Sequence, residues 1–268
     1  MAETAHPKRR WLRVTPGWLP VVLLVVEGFL LLSQRFHWFA FNEHKGWTVL
    51  IAVATAGVAM LLTVLWLVAA LVFRLRFQFS IRSVLVLVAA VAIPCSWLAV
   101  EMKQAREQRE AVGEIERLEG WVGYDYEFDA SDDLVIGAEP RGPAWLRHLL
   151  GKDFFANVVN VDLNFTQVTD DGLKRVEELS QLQVLQLMVT EVTDTGLEHL
   201  KGLTQLRVLY LDGNYITDAG LEHLKGLAQL DTLGLGSAKR NFVYVGTNVT
   251  DAGVQKLQQA LPNCYIYH

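Results

Sequence analysis

Two histidines, His199 and His223, are the side chains of this 268-residue chain that most readily suggest catalysis or metal binding. An imidazole can transfer protons near neutral pH or ligate a metal ion. Each histidine, however, occupies the same place in a repeated segment, Gly-Leu-Glu-His-Leu-Lys-Gly-Leu, so the repetition accounts for both. The chain has no G-x-S-x-G, H-E-x-x-H or phosphate-loop motif. We therefore expect no enzymatic activity, no cofactor, and no catalytic, cofactor-binding or metal-binding residues.

A second candidate for metal chemistry is the acidic turn that contains Asp129, Ser131 and Asp133. The alternating oxygen-bearing side chains have the spacing found in calcium-binding loops. A full loop also needs a central glycine and a distal glutamate, and both are missing here. We favour an ordinary acidic turn over a calcium site.

Charge is distributed unevenly along the chain. Residues 1–100 contain nine Lys and Arg against three acidic residues, whereas residues 101–268 contain fifteen against twenty-six. A phosphate backbone needs a positive surface, so the acidic second part argues against a nucleic-acid partner. The mean hydropathy of +0.24, with 51% hydrophobic residues, is high for an average soluble chain.

Three apolar segments account for this hydropathy: residues 17–33, 47–73 and 83–100. A helix needs about 20 apolar residues to cross the hydrocarbon core of a bilayer. The segments predict a membrane region with three transmembrane helices over residues 1–100. We interpret Glu27, inside the first segment, as a hydrogen-bonded packing residue rather than part of a proton path, because the other two segments contain no ionisable partner.

Basic residues flank these segments asymmetrically. Lys8, Arg9, Arg10 and Arg13 precede the first segment, and Arg74, Arg76 and Arg82 lie between the second and the third. Positive charge favours the cytoplasmic side, which places the N-terminus inside and residues after 100 outside. The prediction is a multi-pass protein of the cytoplasmic (inner) membrane, in contact with the lipid bilayer, with an extracytoplasmic C-terminal part.

Two short regions precede the C-terminal part of the chain. Residues 101–120 are rich in helix-forming and charged residues, which predicts a helical stalk. Residues 121–157 contain an alternating segment, a turn, and a Pro143-led apolar segment that ends at Gly151. These features predict a cap made of a hairpin and a short helix.

Residues 158–268 are dominated by an internal repeat. The motif Val/Ile-Thr-Asp-x-Gly-Leu/Val starts at Val168, Val192, Ile216 and Val249, with spacings of 24, 24 and 33 residues. A second motif, L-x-x-L-x-L, lies in phase with it, as at Leu182, Leu185 and Leu187. Together they predict a strand, a turn and a helix in each repeat, which can bury apolar surface only by stacking.

This pattern resembles leucine-rich repeats of the VTDxGL type. It is similar to their cysteine-containing subclass, except that Thr166, Thr190 and Asn214 stand where that subclass has its cysteine. Together with the apolar segments, the repeats resemble membrane-anchored bacterial leucine-rich-repeat proteins. The resemblance implies an α/β solenoid, with parallel strands on the concave face and helices on the convex face, attached to an all-α three-helix transmembrane region.

Two surfaces are candidates for binding a partner. The outward positions of the strands predict a contact area on the concave face, in which Tyr210 and Met188 are expected to be adjacent: Asp162, Gln186, Met188, Tyr210 and Asp212. A nine-residue insertion in the fourth repeat, around residues 237–248, offers Arg240, Phe242 and Tyr244, or is merely a tolerated surface loop.

The resulting functional hypothesis is a non-catalytic, membrane-anchored leucine-rich-repeat protein that binds a protein partner through its extracytoplasmic solenoid. The alternative is a structural cell-envelope protein that binds wall polymer or self-associates. Both hypotheses depend on a sheet face that is free to touch another molecule.

Overall fold

The computed structural model describes residue 57 and residues 81–129, 133–135, 137–140, 142–240 and 243–268. The chain divides into two compact units, Met1–Leu98 and Ala99–His268. The first described element is a helix, α1, from Ile81 to Arg117. The strands and other helices below belong to the second unit.

The predicted transmembrane region requires correction. Among the residues that the structure describes, no helix is both long and apolar enough to cross a membrane. The third predicted segment, 83–100, lies on α1, which continues into the charged sequence after Glu101. The first two segments, 17–33 and 47–73, lie outside the described residues apart from residue 57. The predictions of a three-helix transmembrane region and of a multi-pass inner-membrane protein are therefore wrong on this finding.

The C-terminal turns of α1 pack on the repeats. Ala111, Val112 and Ile115 are buried in the same hydrophobic cluster as the leucines of the repeats. The Gln108 amide donates to the carbonyl of Ala156 at 2.9 Å and accepts from the backbone N–H of Val158 at 3.2 Å. Residues that the sequence assigned to a stalk thus cover the first repeat.

A short cap completes this end. Strand β1, Trp121–Tyr124, is followed by a bridge between Phe128 and Leu134, and helix α2 spans Ala144–Leu150. The buried carboxylate of Asp153, in a 3₁₀ turn at Lys152–Phe154, accepts from Arg109 Nε at 3.1 Å and from the Tyr124 hydroxyl at 3.2 Å. These bonds join α1, β1 and the turn, so an ion pair holds the cap together.

A six-stranded sheet forms one layer of the repeats. After β1 come β2 (Val158–Asp162), β3 (Val184–Gln186), β4 (Val208–Tyr210), β5 (Thr232–Gly234) and β8 (Tyr265–Tyr267), in the order β1-β2-β3-β4-β5-β8. Strand β1 is antiparallel to β2, and the other neighbours are parallel. The register places Val161, Leu185, Leu209 and Leu233 in one fully buried row.

The segments that return from one strand to the next form the second layer. They comprise α3 (Asp170–Val176), a 3₁₀ helix (Gly196–Gly202), α4 (Asp218–Leu221) extended by a 3₁₀ turn (Glu222–Leu224), and α5 (Asp251–Ala260). The second repeat therefore has a 3₁₀ helix where the sequence predicted an α-helix. This helix and α3 both contain 7 residues, and a 3₁₀ helix rises about 2.0 Å per residue against about 1.5 Å in an α-helix, so the return segment of the second repeat is the more extended of the two.

The Thr-Asp pair of each repeat motif bonds to the next repeat. Asp194 Oδ1 accepts from the Thr217 N–H at 2.8 Å, and its Oδ2 accepts from the Thr217 hydroxyl at 2.5 Å. The same two bonds join Asp170 to Thr193 and Asp218 to Thr250. A side chain on the motif glycine would overlap this carboxylate, as at Gly220. The motif thus encodes contacts between repeats, which we call the aspartate–threonine ladder.

The insertion in the fourth repeat contains a hairpin. Strands β6 (Ala238–Arg240) and β7 (Val243–Val245) form a separate two-stranded antiparallel sheet. Thr247 donates to the Leu235 carbonyl at 2.5 Å, which ties the end of the insertion to the repeat. The main sheet continues to β8 without a break in register.

The aspartate–threonine ladder leads to a stability prediction. Replacing Asp194 with alanine should lower the free energy of unfolding by about 1–3 kcal/mol, because the Thr217 N–H and hydroxyl lose their acceptor. Urea unfolding of the full chain measures the change. The control is Asp171→Ala, an exposed aspartate in the first turn of α3, which should change the stability by less than about 1 kcal/mol. Equal losses in the two variants would contradict the role of the ladder.

Asp218 gives a pH-dependent version of this test. Hydrogen bonds from the Thr250 hydroxyl and N–H hold the pKa of Asp218 below its ordinary value of 3.8. Its stabilising effect is therefore complete above that value and is lost as the pH falls through the lower pKa of the folded state. Below pH 4, the Asp218→Asn variant should lose less stability than the wild type in urea unfolding. Asp171→Asn should follow the wild-type curve, and an unchanged curve for Asp218→Asn would refute the effect.

Candidate functional site

One side of the sheet faces away from the hydrophobic core, and we call it the outward face. Side chains alternate along a strand, so the residues between the buried leucines lie on this side. The strand register arranges them in two rows: Asn160, Val184, Val208, Thr232 and Tyr265 in the first, and Asp162, Gln186, Tyr210, Gly234 and Tyr267 in the second. Asn164, Met188, Asp212 and Gly236 follow the strands as a third row.

The structure places the predicted residues of the concave face in two of these rows. Asp162, Gln186 and Tyr210 share the second row, while Met188 and Asp212 belong to the third. The register partner of Tyr210 is Gln186. Met188 lies one row further along than Tyr210, so the two are diagonal neighbours on adjacent strands and not register partners.

The β2 and β3 end of the outward face is polar and internally bonded. Asp162 Oδ1 accepts from the Asn164 N–H at 2.9 Å, and Asn164 Nδ2 donates to Gln186 Oε1 at 2.9 Å. Asn164 Oδ1 also accepts from the Met188 N–H at 2.8 Å. These bonds fix the orientation of the side chains before any ligand binds.

The β4 to β8 end is aromatic. The ring centroids of Tyr210 and Tyr267 are 6.5 Å apart, and those of Tyr265 and Tyr267 are 6.2 Å apart. Gly234 lies between Tyr210 and Tyr267 in the register, and a side chain there would overlap the Tyr267 ring. We call Tyr210, Tyr265 and Tyr267 the tyrosine cluster. Sequence reasoning missed Tyr265 and Tyr267, although their alternation around Ile266 is that of a final strand.

Asp212, in the third row, is buried beside this cluster. The residue is 5% exposed, whereas the sequence predicted an outward acid. Its Oδ1 accepts from the Gly236 N–H at 2.8 Å, and its Oδ2 accepts from the Tyr267 hydroxyl at 3.4 Å. Burial, together with the negative charge of Asp212, raises the pKa of Tyr267 to about 12. Tyr267 is therefore a neutral hydrogen-bond donor at physiological pH.

An exposed aromatic residue follows the third row. Phe165 has a positive φ of 60° and is 69% exposed. The equivalent residue of the third repeat is Gly213, with a φ of 70°, so this turn requires a left-handed backbone. Such a conformation costs a residue other than glycine about 1–2 kcal/mol. Phe165 is thus an exposed side chain on a strained backbone, a combination that sequence reasoning did not detect.

The residues predicted in the insertion belong to the hairpin. Arg240, in β6, pairs with Val243, and Tyr244, in β7, pairs with Lys239. Phe242 lies outside the described residues. Their hairpin is a sheet separate from the one that carries the outward face.

Two of the remaining chemical candidates, His199 and Asp129, have structural partners. His199 Nδ1 lies 3.0 Å from Glu177 Oε2 of the preceding repeat, which gives this histidine a contact between repeats. Asp129 accepts from the Asp133 N–H at 3.1 Å, and Ser131 lies outside the described residues. Within the described part of the chain, no group of three or more His, Cys, Asp and Glu side chains could hold a metal ion.

The parallel sheet, its 24-residue register and its buried leucine rows define a solenoid of the leucine-rich-repeat class. No protein-family model and no curated protein matches the chain.

Among solved structures, the chain is similar to two internalins of Listeria monocytogenes. Internalin F is 23% identical, with 39% of this chain covered and a TM-score of 0.32, and the chain spans about a quarter (26%) of that protein. Internalin C2 is 19% identical, with 43% of this chain and 71% of that chain covered and a TM-score of 0.17. The similarity concerns the fold alone.

The strain at Phe165 can be measured by comparing two truncations. Phe165→Asn should be more stable than Phe165→Ala by about 0.5–1 kcal/mol, because asparagine tolerates a positive φ better than alanine does. Both variants remove the ring, so the loss of apolar contact cancels in the comparison. Urea unfolding of the two full-length variants measures the difference. Equal stabilities would show that the turn relaxes and stores no strain.

Proposed function

We propose that the chain is a non-catalytic binding protein that contacts a protein partner through the outward face of its sheet. The tyrosine cluster carries this proposal. Tyr265 is 69% exposed, and Tyr210 and Tyr267 are partly exposed beside it. Tyrosine is enriched at protein interfaces because its ring buries a large apolar area at a low entropic cost, while the hydroxyl still forms hydrogen bonds.

The rigidity of the outward face supports the same proposal. Its rows sit on strands whose inward residues are fully buried, and the side chains of Asp162, Asn164 and Gln186 are already bonded in place. Little side-chain entropy is lost when such a surface binds, so more of the contact energy contributes to affinity. The aromatic end supplies apolar contact area for the partner, and the polar end supplies directional hydrogen bonds.

The difference between the aromatic end and the polar end of the outward face predicts how the partner would be selected. The tyrosine cluster would act as the anchor, since truncation of a central aromatic residue costs an interface the most. Asp162 and Gln186 would discriminate between partners, because a partner that leaves these polar groups without hydrogen bonds pays for their desolvation.

Photo-cross-linking with the full chain tests the proposal. A benzophenone amino acid replaces Tyr265 on the outward face or, as the control, the exposed Lys201 on the opposite layer. We expect a defined protein adduct at position 265 that is absent at position 201, identified by mass spectrometry. Adducts made only of glycan, or only of a second copy of this chain, would refute a separate protein partner. Identical adducts at both positions would also refute the use of this face.

Substitutions in the cluster provide the quantitative prediction. With the partner identified by cross-linking, Tyr210→Ala should weaken binding about 30-fold or more, the effect expected for an aromatic anchor. Tyr215→Ala is the matched control, because Tyr215 is 51% exposed but lies outside the three rows. Isothermal titration calorimetry measures both affinities. Equal effects of the two substitutions would remove the tyrosine cluster from the interface.

A further inference from the structure

We propose that the tyrosine cluster binds a cationic side chain of the partner, arginine or lysine, beside the buried carboxylate of Asp212. The inference rests on the proposed function and specifies the chemistry that the aromatic end recognises. It follows from the position of one buried negative charge and from the arrangement of the rings around it.

The two buried aspartates of the described chain differ in the charge of their hydrogen-bond donors. Asp153 is 7% exposed and forms an ion pair with Arg109 at 3.1 Å. Asp212 is 5% exposed and accepts only neutral donors, the Gly236 N–H and the Tyr267 hydroxyl. Within residues 81–240 and 243–268, as far as described, no cationic side chain forms an ion pair with Asp212. A buried carboxylate is costly unless it is paired with a cation, so a cation is the ligand that this site most favours.

The rings of the tyrosine cluster, beside Asp212, are arranged in a way that favours a cationic ligand. The planes of Tyr210 and Tyr267 are inclined by 49°, and those of Tyr265 and Tyr267 by 41°, at centroid separations of 6.5 and 6.2 Å. The three rings therefore form an uneven aromatic surface and not a flat stack. A guanidinium or ammonium group within about 6 Å of an aromatic centroid is attracted by the negative face of the ring.

Glycine at position 234 brings the rings and the carboxylate together. A side chain there would meet Asp212 Oδ2 at 2.5 Å and the Tyr267 hydroxyl at 2.5 Å. The absence of a side chain lets Tyr267 reach over the strand to bond Asp212. The negative charge consequently lies beside the Tyr267 hydroxyl, at the edge of the tyrosine cluster, where it strengthens attraction for a cation and repels an anion.

The charges nearby favour the same ligand. Arg207, which directly precedes β4, forms an ion pair with Asp231 at 2.9 Å. Asp162 adds a second acidic group in the same row as Tyr210. The outward face thus offers a negative site, and a cationic side chain is complementary to it.

Fluorine NMR of the full chain, labelled with 3-fluorotyrosine, tests the inference. The probes are N-acetyl-arginine amide and N-acetyl-citrulline amide, which have similar shape but differ in charge. Tyrosine-to-phenylalanine variants assign the seven tyrosine signals. We expect the arginine probe to shift the signals of Tyr210, Tyr265 and Tyr267 saturably, with an affinity about tenfold higher than that of the citrulline probe. Equal affinities, or shifts at Tyr124 and Tyr126 instead, would overturn the inference.

Substitution of the carboxylate separates charge from shape. Asp212→Asn should abolish the preference for arginine over citrulline, while Asp162→Asn, in the same face but over β2, should keep it. Unchanged signals of Tyr124 and Tyr126 show that Asp212→Asn is folded. Tyr265→Leu provides a second variant, which keeps apolar area at an exposed position but removes a ring, and it should weaken the arginine probe. Retained preference in both Asp212→Asn and Tyr265→Leu would overturn the inference.

Failure of this inference is distinguishable from failure of the proposed function. A protein adduct at position 265 without any arginine preference would overturn the cation site and leave the protein-binding face standing. An arginine preference without a protein adduct would support the cation site and refute the separate protein partner.

Discussion

Stacking of each repeat on its neighbours is the constraint on which the rest of this fold depends. A repeat of 24 residues has too little surface to enclose its own leucines, so residues such as Leu185 and Leu209 become fully buried only in a row. The same requirement explains why the end of α1 covers the first repeat with Ile115. The aspartate–threonine ladder adds directional hydrogen bonds between neighbouring repeats to this apolar stacking.

The strict register also creates the outward face. Once the leucines are aligned, every residue between them is aligned as well, and single substitutions within a row acquire neighbours from other repeats. Gly234 is the clearest case, since it allows Tyr267 and Asp212 to meet although they are 55 residues apart in the chain. A binding surface can therefore evolve on this scaffold by changing row positions without disturbing the core.

The sequence was sufficient for contacts that every repeat makes in the same way. The L-x-x-L-x-L leucines indicated the buried rows, and the resemblance put Thr190 and Asn214 at equivalent positions of neighbouring repeats; the structure bonds their side chains to each other at 2.7 Å. The sequence was insufficient to predict contacts in which a residue's role depends on another repeat. Asp194 looked like part of a helix start, and only the structure shows it bonded to Thr217. The length and apolarity of residues 83–100 suggested a membrane span, because hydropathy alone does not reveal how a helix continues.

Two departures from ordinary protein chemistry occur on or next to the outward face. Phe165 keeps an exposed ring on a backbone that favours glycine, and Asp212 keeps a buried charge without a cationic partner among the described residues. Neither feature is needed for stacking, since Gly213 makes the same turn as Phe165 and Asp153 shows that this fold can pair a buried acid. Unfavourable features that the fold does not require are typical of functional surfaces. The position of Asp212 beside the tyrosine cluster is therefore a physical argument, independent of the aromatic residues themselves, in support of this face as the proposed binding surface.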